Sequence, residues 1–167
     1  MSITANAPKS YSTIQKSLHW LVAAIIIAQL IFGEDMAHAL EAFEENADAS
    51  GFSSPIVLFH IWGGLSIILF AVWRLFLRKA QGVPQQPAEE PAYLKFAASA
   101  THVLFYALLF MAPISGAVAY YLGVEAAGEF HQLLKPVFIV LIAAHVVGAL
   151  YQHFWLKTDV LKRMTYG

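Results

Sequence analysis

Histidine is the residue whose placement in this chain could do chemistry. There are seven. Two of them, His131 and His145, bracket the almost wholly apolar run HQLLKPVFIVLIAAH. An unpaired imidazole is costly in hydrocarbon. Their fourteen-residue separation is about 21 Å along a helix and returns to within roughly 40° of the starting direction. The pair therefore looks out of one helix face at two depths. A metal-bound imidazole is satisfied by the metal at one nitrogen and by a second acceptor at the other. Two iron porphyrins stacked across a bilayer, each gripped by one of these histidines, would satisfy both. Each porphyrin then needs a second axial ligand, at matching depth, from another helix.

The elements that position such ligands follow from composition. Of 167 residues, 59% are hydrophobic and 13% charged; about 25% charged is usual in soluble domains. Mean hydropathy is +0.60. The class is therefore membrane protein. A net charge of −1 gives no bulk attraction to nucleic acid. With no cysteine, disulfides, thiolate metal sites and covalent c-type haem attachment are all excluded. The polar start MSITANAPKSYSTIQKS has no cleavage site of the A-x-A kind, and it is expected to be a short tail rather than a signal peptide.

Four apolar runs approach the roughly 20 residues that a spanning helix needs. The spacing predicts an all-α, integral membrane four-helix bundle with haems in its interior. It forms a single membrane domain over residues 1–167, with helices at about 12–33, 55–79, 92–122 and 130–156. Ser12 and Gln15 have capping-box spacing at the first helix start. GVPQQPAEEP separates the second helix from the third. Lysine and arginine orient the bundle. Lys9, Lys16, Arg74, Arg78, Lys79, Lys95, Lys157, Lys162 and Arg163 fall on one side. The other side carries Glu34, Asp35, Glu41, Glu44, Glu45, Asp48, Glu125 and Glu129, with Lys135 as the single exception. Both termini are therefore expected in the cytoplasm.

Topology then gives each histidine a depth. His60 matches His131 on the outer side. His19 or His102 matches His145 on the inner side. A lone membrane histidine can simply hydrogen-bond a carbonyl of a neighbouring helix. Histidines at two depths, each with an opposite-helix partner, favour paired axial ligation. Zinc usually takes three or four protein ligands close together, which a set split across the membrane does not supply. Gly63 and Gly64, about one turn after His60, leave room for a flat macrocycle, as do Gly116 and Gly148; close helix packing by small residues accounts for them equally well. Pro113 is expected to kink the third helix. Trp20 and Trp155 suit the interfacial aromatic belt.

SLHWLVA, FHIWGGLSIILFAVWRLFLR, THVLFYALLFMAPISG and FHQLLKPVFIVLIAAHVVGALYQHFWLKTDVLKRM together resemble the prokaryotic di-haem cytochrome b561 family, from about Tyr11 to the C-terminus. That family is similar in layout to the cytochrome b subunits of hydrogenases and formate dehydrogenases. One member is a superoxide oxidase that passes electrons to ubiquinone. The resemblance implies two haem b groups with bis-histidine ligation: His60 and His131 at the outer iron, His19 and His145 at the inner. It leaves His102 near the inner haem edge, where a quinone could bind, and His153 at the cytoplasmic interface. His38 has no place in that scheme and is expected to be solvated. The outer connection YYLGVEAAGEF is shorter than in some members, which bears on access to the outer haem.

The expected function is one-electron relay, of the superoxide:ubiquinone oxidoreductase type. An outer donor, superoxide among the candidates, would supply electrons, and ubiquinone near the cytoplasmic side would collect two electrons and two protons. Bis-histidine iron has no open position for substrate. His102 and His153 are candidates for quinone hydrogen bonding or proton supply. Arg74 and Arg78 suit haem propionates or helix anchoring. The acidic outer loops repel a distant anion. Lys135, one turn from His131, is open to three roles: pairing with a propionate, snorkelling to the interface, or attracting substrate. Two other readings stand beside this one. In one, the protein is a haem-bearing subunit serving a partner dehydrogenase or a basic soluble cytochrome, docked on an acidic first loop where Met36, Leu40 and Phe43 share a stripe. In the other, it is a small transporter or assembly factor binding metal or haem transiently. Expected partners are lipid, quinone and a small-molecule or protein donor, and the oligomeric state stays open.

Overall fold

The computed structural model describes residues 7–46 and 55–166; the side chains of residue 35 and residues 37–46 lie outside that description. The expectations for His38, for Leu40 and Phe43, and for Asp48 fall outside it too. Among the described residues five helices follow in order: α1 Thr13–Asn46, α2 Pro55–Gln81, α3 Ala92–Leu122, α4 Glu125–Phe154 and the short α5 Val160–Met164. The first four contain segments long and apolar enough to cross a membrane, and in α1 that segment is Thr13–Glu34.

The start of α1 is a reciprocal cap. Ser12 N–H donates to Gln15 Oε1 (3.0 Å), and Gln15 N–H donates to Ser12 Oγ (3.3 Å). Both bonds satisfy donors that the first turn would leave orphaned. Gln15 goes further: its buried amide donates to the carbonyls of Leu77 (3.4 Å) and Gly82 (3.1 Å). It thereby pins the start of α1 to the end of α2, where Gly82 turns with φ 73°.

Two helix ends depart from the sequence expectation. α1 continues twelve residues past its apolar span, about 18 Å of helix. The stretch EDMAHALEAFEEN is polar, but Glu, Ala, Leu and Met favour helix and no Gly or Pro interrupts them. Loss of hydropathy ends the span without ending the helix. Likewise α4 starts at Glu125 rather than near 130, because the third connection is only Gly123 and Val124. Gly123 adopts the left-handed conformation (φ 64°), and its N–H caps the Ala119 carbonyl; a side chain there would be strained.

Successive helices pack on one another, α1 on α2, α2 on α3 and α3 on α4. One apolar layer joins all four: Val22 and Ile26, Ile67 and Ala71, Leu108 and Leu109, Leu134 and Phe138. Large side chains such as Trp62, Leu69, Phe96 and Val140 point outward, as a bundle solvated by lipid tails permits and one in water does not. The chain is a multi-pass membrane protein. Its terminal end is closed by polar clasps. Ser10 Oγ donates to the Arg163 carbonyl (3.1 Å), Trp20 Nε1 to the Met164 carbonyl (3.1 Å) and Arg163 Nη1 to the Gln85 carbonyl (2.6 Å). Buried Glu90 accepts from Gln152 Nε2. The three basic segments named from sequence thus share one end of the bundle.

Candidate functional site

Polar side chains gather at two levels, one on each side of the apolar layer. At the distal level, away from the termini, the rings of His60 (α2) and His131 (α4) have centres 5.9 Å apart. At the terminal level the ring of His145 (α4) lies 6.3 Å from that of His19 (α1) and 5.6 Å from that of His102 (α3). Two imidazoles binding one metal ion from opposite sides, each with a metal–nitrogen bond of about 2.0–2.1 Å, have centres roughly 6 Å apart. Both levels have that spacing. Among the described residues, no three His, Asp or Glu side chains converge to hold a metal ion.

His131 is oriented for ligation. Its Nδ1 lies 2.8 Å from the Ala112 carbonyl. A carbonyl only accepts, so Nδ1 carries the proton and Nε2 keeps its lone pair. This is the carbonyl-anchored histidine that metal sites use. Gly116 makes the approach possible, since a Cβ there would stand 3.0 Å from His131 Cε1. Ser115 Oγ, 3.4 Å from the same Nδ1, donates to the Ala112 carbonyl at 3.0 Å. Across from it, His60 Nδ1 is buried and makes no hydrogen bond. A polar atom left so in the interior suits a ring whose remaining chemistry is directed at a ligand.

The terminal level is more polar. Arg74 Nη2 lies 3.2 Å from His19 Nδ1. A guanidinium only donates, so His19 Nδ1 accepts and its proton sits on Nε2. Ligation through Nε2 demands the opposite tautomer, and Arg74 would then turn to another acceptor. His102 is exposed at the bundle surface, its ring edge-on to His145. His153 sits in the last turn of α4, with Nδ1 buried and unpartnered and its ring edge-on to Phe154 at 4.8 Å. It stands about 12 Å of helix rise beyond His145.

Other expected residues land with different neighbours. Lys135 forms an ion pair with Glu34 at 2.6 Å, a partner absent from the sequence expectation. The space beside Gly63 is taken by the Gln29 side chain, whose Nε2 donates to the carbonyls of His60 (3.2 Å) and Phe59 (3.4 Å). Gly64 faces Pro113 Cβ, 4.0 Å from where its own Cβ would be, and Gly148 has nothing within 4 Å. Gln29 was missed by sequence reasoning. Its signal was there: one amide inside the apolar run AIIIAQLIFG, where a polar group needs a partner helix.

A model of the family described as prokaryotic cytochrome b561 matches residues 10–167. Cytochrome b562 of Cereibacter sphaeroides is 29% identical over 157 residues, covering 92% of this chain and 94% of that protein. Cytochrome b561 homolog 2 of Escherichia coli is 28% identical over 191 residues, covering 98% of this chain and 95% of that protein. Four membrane-length helices whose histidines face one another at two levels, together with a family match running from residue 10 to the end, show that the chain belongs to the prokaryotic cytochrome b561 family, membrane haem proteins of electron transfer.

Proposed function

We propose that the protein is a di-haem b cytochrome that carries electrons from an outer donor to a quinone near the cytoplasmic side. The observation that carries this reading is the pair of facing-histidine levels divided by the eight-residue apolar layer. His60 and His131 would hold the distal haem. His145 would hold the terminal one with His19, as the resemblance implies, or with His102, whose ring is also within range. Haem supplies one-electron cycling at each level; all else falls to the chain. The His131–Ala112 bond fixes one ligand ring, and the apolar layer keeps water from between the levels. Quinone reduction consumes two protons. His102, exposed beside His145, and His153, at the end of α4, are the imidazoles placed to hydrogen-bond a quinone there. The clustering of basic segments at the terminal end supports placing both termini in the cytoplasm. That puts the distal level on the outer side of the inner membrane.

Superoxide remains one candidate donor and ubiquinone the candidate acceptor. The ion pair between Lys135 and Glu34 favours a second reading of the donor, a cationic protein or partner subunit rather than a small anion. Purified protein tests the ligand assignment. Low-spin electron paramagnetic resonance and a haem count should give two bis-histidine centres per chain. His60→Ala and His131→Ala should lose the same signal, and His19→Ala and His145→Ala the other, while His102→Ala keeps both. A single centre in the wild type, or loss of the terminal signal in His102→Ala but not in His19→Ala, would overturn the corresponding assignment.

A further inference from the structure

Resting on the reading that electrons arrive at the distal level, we propose that Glu34 sets which reductants are admitted there, by neutralising Lys135 and so removing the preference an exposed cation would give to anions. Lys135 is the one Lys or Arg in the chain outside the three basic segments. It lies four residues, one turn, after His131 and on the same face of α4. Its ammonium is 2.6 Å from Glu34 Oε1, with side-chain exposures of 36% for Lys135 and 77% for Glu34. Such an exposed pair contributes little to stability, but its charge acts on anything approaching. α1 and α4 are not consecutive in the chain, and at the distal end this pair bridges them. An electron donor reaching the His60–His131 level from the seam between these helices meets a neutral pair. Glu125 and Glu129 precede Lys135 on the same helix, and the sequence after Glu34 is rich in acids. The charge pattern fits a neutral reductant or a cationic protein surface, and it opposes a small anion.

The test uses two one-electron reductants of opposite charge on the purified, haem-loaded protein. One is the sulfur dioxide radical anion from dithionite, oxidised to sulfur dioxide. The other is the methyl viologen radical cation, oxidised to the dication. Stopped-flow absorbance reads the rate of haem reduction. Glu34→Gln leaves Lys135 uncompensated. At low ionic strength and a separation near 8 Å, one added charge should raise the anion's rate, and lower the cation's, each by a little over twofold, so that their ratio rises about fivefold. Lys135→Gln should move the ratio the same distance the other way. Glu34→Gln/Lys135→Gln should return it to the wild-type value, and about 1 M salt should erase all differences. A ratio that is the same in all four proteins, or that shifts alike in both single variants, overturns the proposal while leaving the haem assignment intact. Absence of haem reduction by either reagent in the wild type would instead sink the reading on which the proposal rests.

Discussion

Gly116→Ala is the substitution whose outcome is most tightly fixed by the distal level. The new Cβ would stand 3.0 Å from His131 Cε1 and 3.1 Å from Nδ1, so the ring must retreat by a few tenths of an ångström. It cannot do so freely, because Nδ1–H is held 2.8 Å from the Ala112 carbonyl on the same helix as Gly116. Crowding of this kind costs about 1–3 kcal/mol, and a weakened buried hydrogen bond costs about 1 kcal/mol. Taking about 2 kcal/mol for the two together, and about 1.4 kcal/mol per tenfold, the distal haem should bind roughly 30-fold more weakly, within the 10–100-fold range seen when a ligand's supporting group is disturbed. Helix propensity works in the opposite direction, since alanine gains about 1 kcal/mol over glycine in a helix interior. Overall stability should therefore change little while one haem loosens. Haem transfer to excess apomyoglobin, followed in the Soret band, separates the fast-leaving centre from the slow one. Gly148→Ala is the control, because nothing lies within 4 Å of its added Cβ; both haems should stay and the thermal midpoint should hold or rise. If Gly116→Ala retains its distal haem as firmly as the wild type, or loosens both haems equally, then the His131 geometry does not govern that site.

Three further outcomes follow. Gln15→Leu leaves the Leu77 and Gly82 carbonyls and the Ser12 N–H without their partner; the expected loss is about 1–3 kcal/mol, read as a lower midpoint of thermal unfolding in detergent, with haem content unchanged below that midpoint. Burial pushes the Tyr11 phenol above its usual range, with Tyr106 adding to the effect and Arg78, Arg74 and Arg163 opposing it. Above about pH 10 the unfolded phenol ionises before the folded one, so stability falls as pH rises, and Tyr11→Phe should show a shallower alkaline loss in a pH series of thermal midpoints. Arg74→Gln removes a cation in contact with His19; redox titration should show the terminal haem's midpoint potential lowered and the distal one unmoved, and equal shifts in both would contradict the placement.

The spans and the two histidine levels were legible because each rests on one local rule. Hydropathy marks the spans, and fourteen residues on a helix returns to the same face one leaflet away. The cap at Ser12 and Gln15 was legible for the same reason, since both partners lie within one turn. Contacts between helices were not. Gln15 reaching Leu77, Gln29 filling the space beside Gly63, and Lys135 meeting Glu34 all depend on how far one helix slides against another, and no periodicity within a single helix encodes that. The extension of α1 beyond Glu34 was hidden differently. Hydropathy reports solvent, propensity reports backbone, and the two part company at residue 34.

The two levels also differ in charge, and on the proposed reading that difference gives the relay a direction. α2 carries His60 at the distal level and, fourteen residues on, Arg74 at the terminal one; α4 carries His131 and His145 with the same spacing. At the distal level the nearby cation, Lys135, is neutralised by Glu34. At the terminal level Arg74 bonds a histidine, and no carboxylate among the described residues pairs with it. An uncompensated cation favours the more negative, reduced state of a nearby redox group, and does so more strongly in a low-dielectric interior than in water. On the proposed reading, an electron arriving at the distal level would find a more favourable place at the terminal one, to the extent that Arg74 keeps its charge unpaired there. There a third imidazole, His102, stands exposed beside His145, where the proposed quinone would meet it. On the proposed reading the distal level, whose one nearby cation is paired, serves electron passage, and the terminal level, with a third imidazole beside the facing pair, serves the coupling of an electron to a proton.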